Sequence, residues 1–205
     1  MLDLSNLHGS IRRMHHVVRF SSLPTIRQEN VAAHSWEVAF ISYLIAHDLN
    51  ARLFPVDVGR VLIKAVTHDV SECMSGDVIR SYKYGTDAMI RATREADSIN
   101  VRALSEELGS ERTWWDWTES KDDSLAGRVV AFGDYVCVVT KCVEEHRMGN
   151  TMLDQIVEGV YRTLLQPLRD DDRFGVYVRQ LFPLDDYTSA YMEPGESWRN
   201  ISSAR

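Results

Sequence analysis

The sequence predicts an all-α fold, and two observations support it. Apolar residues recur at intervals of three and four along most of the 205 residues, which is the period of a helix. Alternating apolar and polar runs, and hairpin dipeptides such as Asn-Gly, are missing from the sequence. A chain of 205 residues with 44% hydrophobic and 26% charged residues is long and apolar enough to bury one sizeable core. We therefore expect one helical domain over residues 1–184, followed by a polar tail over residues 185–205.

Local signals set the bounds of the first two helices. A first helix is expected over residues 5–20, because its apolar residues share one side and the polar turn before Pro24 stops it. Asn30 is a favourable N-cap, since its side chain can accept a backbone N–H of the first helical turn. The second helix is therefore expected to run from Asn30 to about residue 49.

A third helix is expected to start at residues 55–57, where Pro-Val-Asp precedes an apolar run. On this interpretation the helix carries His68 and Asp69 and continues until Gly76 breaks it. Neighbouring residues of a helix project about 100° apart, so both side chains can reach one ion beside the helix.

The second half of the chain adds four helices. A polar helix is expected over residues 86–108, and a strongly apolar one over about residues 125–143 contains Asp134. Two more are expected over residues 151–165 and 173–181.

Composition and charge exclude several classes of function. A net charge of −7 argues against a nucleic-acid polymer as partner, because phosphate backbones require a basic surface. The longest apolar run falls short of the about 20 residues of a membrane span and carries charges. The first residues lack the features of a signal peptide. Three cysteines, Cys73, Cys137 and Cys142, suit reduced core thiols, so we expect a cytoplasmic protein.

An aspartate in an apolar helix points to a metal. Ionised Asp134 must lose water unless a positive group meets it, and Lys141 is two helical turns away. Imidazole and carboxylate from His68 and Asp69 would complete the ligands of a divalent ion such as Co, Mn, Zn, Fe or Mg. Glu72, one turn further on, is then the natural group to handle a proton. Taken alone, a His-Asp pair on a helix is more often a surface pair.

Several short motifs, in this order and spacing, resemble those of the HD-domain metal-dependent phosphohydrolases, and within them the small 5′-deoxynucleotidases. The combined pattern is far more specific than any of its pieces. It covers roughly residues 10–165 and consists of Arg19-Phe20, Arg27-Gln28-Glu29-Asn30-Val31, His34-Ser35, His68-Asp69-Val70-Ser71-Glu72, Gly76-Asp77, Lys83-Tyr84, Asp134 and Lys141-Cys142-Val143-Glu144-Glu145.

The resemblance implies an HD-domain helical bundle, a divalent metal ion and a homo-oligomer. It assigns the acid-base role to Glu72 and makes Asp77 its helper. The implied metal ligands are His34, His68, Asp69 and Asp134.

The resemblance also implies how a substrate is held. Arg19 matches the position that binds the substrate phosphate, and Lys83 is a second candidate for that role. Phe20 stands where the family has tryptophan, and its ring would pack on the sugar. Ala33 stands where the family usually has glutamate, which removes a capping-box partner of the second helix.

These assignments favour a hydrolase that converts deoxynucleoside 5′-monophosphates to deoxynucleoside and phosphate. The alternatives are a deoxynucleoside triphosphate triphosphohydrolase that releases tripolyphosphate, for example from dATP, a cyclic-nucleotide phosphodiesterase, and a non-catalytic nucleotide sensor. The expected partner is a small deoxynucleotide, without nucleic-acid polymer or membrane. The segment Trp114–Trp117 is interpreted as packing or as a contact between subunits.

Overall fold

The computed structural model describes residues 9–109 and 120–191. Within these ranges the secondary structure is helical, apart from one isolated β-bridge between Val18 and Asn30. The all-α prediction is confirmed. Trp114–Trp117 lie outside the described residues, so their predicted role stays a prediction.

Most of the chain forms α-helices joined by short turns. The helices are α1 (Val31–Ala51), α2 (Val58–Thr67), α3 (Glu72–Ser75), α4 (Arg80–Lys83), α5 (Asp87–Glu107), α6 (Leu125–Arg147), α7 (Asp154–Val160) and α8 (Gly175–Leu181). The remaining helical segments are short and of 3₁₀ or π type, and they comprise Ser10–His15, Thr151–Leu153, Tyr161–Leu165, Gln166–Leu168 and Tyr187–Tyr191.

The predicted N-caps are present. Asn30 accepts the Ala33 N–H at 2.9 Å and begins α1, and Asp57 accepts the Arg60 N–H at 3.1 Å and begins α2. These bonds satisfy backbone donors that the first helical turn leaves without an intrahelical partner.

The predicted first helix over residues 5–20 is wrong in its extent. Among the residues that the structure describes, this part holds only the 3₁₀ segment Ser10–His15. Beyond it the chain becomes strand-like, because the Arg19 N–H donates to the Glu29 carbonyl at 2.9 Å. Phe20 then takes a positive φ of 55°, which no helix continues through.

The third helix also ends earlier than predicted. α2 stops at Thr67, and His68 and Asp69 lie in a turn rather than inside the helix. The turn is tight, since the Glu72 N–H donates to the Asp69 carbonyl three residues back at 3.0 Å. Gly76, at φ 76°, ends the short α3 that follows.

The chain divides into two compact units, Met1–Gly133 and Asp134–Arg205, and the boundary falls inside α6. The assignment of residues 1–184 to one domain therefore stays a prediction. One core cluster of the first unit comes from the 3₁₀ segment, α1, the turn after α2, α3 and the end of α5. Its buried members are Met14, Val31, Val70, Cys73, Val101, Leu104 and Leu108. Burial of Val70 and Cys73 anchors the turn that carries Asp69 and Glu72.

The second unit has its own buried side chains and holds the start of the predicted tail. Tyr161 packs on Phe182 with ring centroids 4.4 Å apart and donates its hydroxyl to Asp185. Tyr191 stacks on His146 at 4.0 Å. Residues 185–191 therefore pack on the unit itself, and the rest of the tail lies outside the described residues.

Two further sequence predictions, on membrane spans and on the cysteines, can be compared with the structure. Within residues 9–109 and 120–191, none of the helices combines the length and apolar character needed to cross a membrane. The three cysteines are buried, as expected for core thiols.

A glycine allows α6 to lie close to α1. A Cβ on Gly133 would stand 2.5 Å from the Ser42 Oγ and 3.5 Å from the Val38 carbonyl oxygen. The Ser42 Oγ is buried and has no hydrogen-bond partner among the described residues. The close approach therefore depends on the absence of a side chain at residue 133.

We predict that Gly133→Ala lowers the free energy of unfolding by about 1–3 kcal/mol, because the new methyl group overpacks the helix contact. Helix propensity alone would instead raise the free energy of unfolding by about 1 kcal/mol, because alanine favours a helix more than glycine does. Gly159→Ala is the matched control, since a Cβ there meets nothing within 4 Å. Urea unfolding measures both. The double variant Gly133→Ala/Ser42→Ala should regain stability, and a failure to do so would refute the clash.

Candidate metal centre

Three of the predicted ligands converge. His34 of α1, His68 at the end of α2 and Asp134 of α6 each offer one ligand atom, and these atoms lie within 4.8 Å of one another. The His34 side chain is fully buried, whereas Asp134 is only half-buried. Asp134 directly follows Gly133 in α6.

The end of α2 determines the protonation of His68. Its Nδ1 lies 2.7 Å from the Ala65 carbonyl oxygen, which can only accept, so Nδ1 carries a proton. The bond satisfies a carbonyl that the last helical turn leaves open. In the neutral ring Nε2 is then a lone-pair donor, the form in which histidine binds a metal.

Asp69 brings a further acceptor to the same place. Its Oδ2 lies 3.0 Å from the His68 Nε2 and 3.6 Å from the His34 Nε2. A carboxylate oxygen facing an imidazole lone pair is repulsive unless a proton or a cation lies between them.

The spacing of these atoms fits a bound cation. The two Nε2 atoms are 3.3 Å apart. Two nitrogen ligands at about 2.1 Å from one tetrahedral ion lie about 3.4 Å apart. The ligand atoms of His34, His68 and Asp134, with Asp69 beside the two histidines, are of the types that would suit a borderline or hard divalent ion.

Glu72 is buried beside this group and is held by Lys83. The Lys83 Nζ donates to the Glu72 Oε1 at 2.8 Å, while the Oε2 has no hydrogen-bond partner among the described residues. Burial, with the charge of Asp69 added, raises the pKa of Glu72 to about 8, although Lys83 acts in the opposite direction. Burial alone would lower the pKa of Lys83, but the carboxylates of Glu72, Asp69 and Asp97 together raise it above its usual value, so Lys83 stays cationic.

Asp77 holds the backbone near the predicted phosphate site. Its Oδ2 accepts the Phe20 N–H at 3.0 Å, at the residue whose positive φ the chain must maintain. The Arg19 guanidinium lies 5.4 Å from the centre of the Phe20 ring. The structure therefore connects Asp77 to the Arg19-Phe20 segment.

Sequence reasoning gave no role to two charged groups at the site. The Glu29 Oε1 lies 3.1 Å from the Arg19 Nη1 and 3.7 Å from the His34 Nδ1. The Lys121 Nζ lies 3.9 Å from the Asp69 Oδ1. Glu29 belongs to a motif that precedes α1, which was the available signal, whereas only the fold brings Lys121 near Asp69.

Comparisons with known proteins place this geometry in context. Residues 6–183 match the model of a family described as 5′-deoxynucleotidase YfbR-like. The chain is 28% identical over 166 residues to the 5′-deoxynucleotidase plu3092 of Photorhabdus laumondii subsp. laumondii, which covers 78% of this chain and 84% of that protein. It is 26% identical over 167 residues to the 5′-deoxynucleotidase yfbR of Photorhabdus temperata, with the same two shares.

A solved structure shows the same fold. An HD-domain phosphohydrolase from Listeria innocua superimposes with a TM-score of 0.77 at 18% sequence identity, over 98% of this chain and 99% of that one. The helical bundle predicted from the sequence is therefore the HD-domain fold.

We predict that Asp134→Asn weakens Mn²⁺ binding at least tenfold, because the amide supplies no negative charge to the ion. Isothermal titration of metal-free protein measures this, and elemental analysis gives the stoichiometry. Asp48→Asn, a change at an exposed carboxylate near the end of α1, is the matched control. An Asp134→Asn protein with the affinity of the control would remove Asp134 from the ligand set.

Proposed function

The chain belongs to the YfbR-like 5′-deoxynucleotidase family, and on this basis we propose that it hydrolyses 2′-deoxynucleoside 5′-monophosphates to deoxynucleoside and phosphate. The observation that carries the proposal is the environment of the Glu72 carboxylate. It lies three residues after Asp69, with one carboxylate oxygen bound by Lys83 and the other buried without a partner among the described residues. Such a group next to metal ligands suits the activation of water.

In this proposal the metal is held by His34, His68, Asp69 and Asp134. The atoms of the first three lie within 3.6 Å of one another, and Asp134 completes the group. When bound, a divalent ion would polarise the phosphoryl group and make water more acidic. The donors suit Zn, Mn, Fe, Co or Mg.

Glu72 moves the proton of the reaction. Its Oε2 accepts a proton as the water oxygen attacks phosphorus, and returns it to the 5′-oxygen when the bond between that oxygen and phosphorus breaks. A carboxyl whose pKa is raised towards neutrality can both accept and release a proton near pH 7. Because Lys83 already binds Glu72, we assign it to holding this carboxylate, and its predicted contact with phosphate stays untested.

Arg19 and Phe20 form the substrate side of the proposal. The guanidinium of Arg19 offers a fork of donors that suits a phosphate, and the side chain is 12% exposed. The Phe20 ring supplies an apolar face for the deoxyribose. Asp77 keeps the segment in place through the Phe20 N–H, and its predicted role as a helper of Glu72 stays untested.

We further propose that the chain forms a homo-oligomer through α1. An uncharged stripe along this helix consists of Trp36, Phe40, Tyr43 and Leu44, exposed by 66%, 51%, 36% and 50%. Aromatic residues at helical spacing without charge are typical of the centre of a protein interface. A second copy offers the same stripe and can pair with it about a two-fold axis. The burial of all three cysteines supports the expected cytoplasmic location.

We predict that Trp36→Glu shifts the protein to monomers in light scattering after size exclusion, because a charge would be buried in the interface. Ile99→Glu is the control, since Ile99 is 61% exposed on α5, outside the stripe. An unchanged mass for Trp36→Glu would exclude α1 as the interface.

A panel of deoxy- and ribonucleoside mono-, di- and triphosphates, with Mn²⁺, Co²⁺, Zn²⁺ or Mg²⁺, tests the reaction. We expect phosphate release from deoxynucleoside monophosphates. Glu72→Gln should lower kcat about 10²- to 10⁴-fold while it retains Mn²⁺, because only the proton transfer is removed. Glu95→Gln, at an exposed carboxylate of α5, is the control. Tripolyphosphate release from a triphosphate would overturn the proposed substrate, and full activity of Glu72→Gln would overturn the role of Glu72.

A further inference from the structure

Glu29 connects two parts of the proposed site through its backbone. The Arg19 N–H donates to the Glu29 carbonyl at 2.9 Å, and the β-bridge between Val18 and Asn30 lies directly beside this bond. The two residues therefore stand opposite each other on paired strand-like segments. Because Asn30 caps α1, Glu29 also lies just before the helix that carries His34.

The side chain of Glu29 makes the same connection. Its Oε1 lies 3.1 Å from the Arg19 Nη1 and 3.7 Å from the His34 Nδ1. The Arg19 and Glu29 side chains are each only 12% exposed, and that of His34 is fully buried. One carboxylate oxygen thus faces both the arginine proposed to bind phosphate and the far side of a proposed metal ligand.

We propose that Glu29 is a positioning residue that orients His34 towards the metal and Arg19 towards the substrate phosphate. The inference rests on the proposed metal site for its first half and on the proposed function for its second half. A carboxylate opposite Nδ1 favours a proton on that nitrogen, which leaves Nε2 as the metal donor and sets the plane of the ring. The same carboxylate fixes one nitrogen of the Arg19 guanidinium, so the remaining N–H groups keep one direction.

The first experiment measures metal binding without any turnover. Mn²⁺ is titrated into metal-free wild type and Glu29→Gln, which keeps the side-chain shape but removes the charge. We expect the Kd for Mn²⁺ to rise ten- to a hundredfold, as is usual when a partner of a ligating histidine is lost. Glu158→Gln is the control, because it breaks a carboxylate–arginine pair with Arg162 at 2.9 Å and changes net charge equally.

The second experiment measures the binding of inorganic phosphate to the Mn²⁺-loaded protein. Glu29→Gln should weaken it severalfold, and should have no further effect when Arg19→Ala is already present, because the effect passes through that arginine. The effect of Glu29→Gln on the Kd for Mn²⁺ should persist in the same Arg19→Ala background. Glu29→Asp, which keeps the charge at shorter reach, should shift both values in the same direction by less.

Two results would overturn the inference. One is a Kd for Mn²⁺ in Glu29→Gln within twofold of the control. The other is a loss of phosphate affinity that persists undiminished in the Arg19→Ala background. If wild type binds Mn²⁺ and phosphate but hydrolyses no deoxynucleotide, the proposed function fails, whereas the Mn²⁺ titration still decides the role of Glu29.

Discussion

The geometry of the site depends on nitrogen and oxygen lone pairs that face one another at a largely buried position. The Nε2 atoms of His34 and His68 and the Oδ2 of Asp69 lie within 3.6 Å of one another. The bond from the His68 Nδ1 to the Ala65 carbonyl prevents that ring from turning a proton towards them without becoming charged. A positive charge must therefore lie between these three atoms to offset their repulsion, and the charged side chains around them are arranged to accommodate it.

The turn after α2 holds these acceptors together. His68 keeps helical backbone angles, with φ at −60° and ψ at −32°, so the side chains of His68 and Asp69 still project about 100° apart and can reach one ion. The Asp69 Oδ2 lies 3.0 Å from the His68 Nε2. The turn is stabilised by backbone bonds three residues apart and by burial of Val70 and Cys73 in the core cluster. The shape of the site and the packing of the first unit thus depend on the same few residues.

Much of the fold could be predicted from sequence, because caps and hydrophobic periods are local signals. Asn30 and Asp57 begin the helices expected of them. The errors occur where distant residues compete with local preference, as when Arg19 pairs with Glu29 instead of continuing a helix. The resemblance selected the triad that converges, yet the pairing of Lys83 with Glu72 could not be deduced, since a single lysine in this short segment carries no signal of its partner.

The negative charge of the chain and of its substrate explains why several cationic side chains lie at the site. A phosphate monoester dianion approaches a protein of net charge −7 and a site that contains Asp69, Glu72 and Asp77. Repulsion between these charges grows as water is excluded, so each buried carboxylate requires its own donor. The Lys83 ammonium donates to Glu72 and the Phe20 N–H donates to Asp77, while the Lys121 Nζ lies 3.9 Å from the Asp69 Oδ1. In the proposed function, this pairing of the carboxylates would allow Arg19 and a bound divalent ion to act on the substrate phosphate.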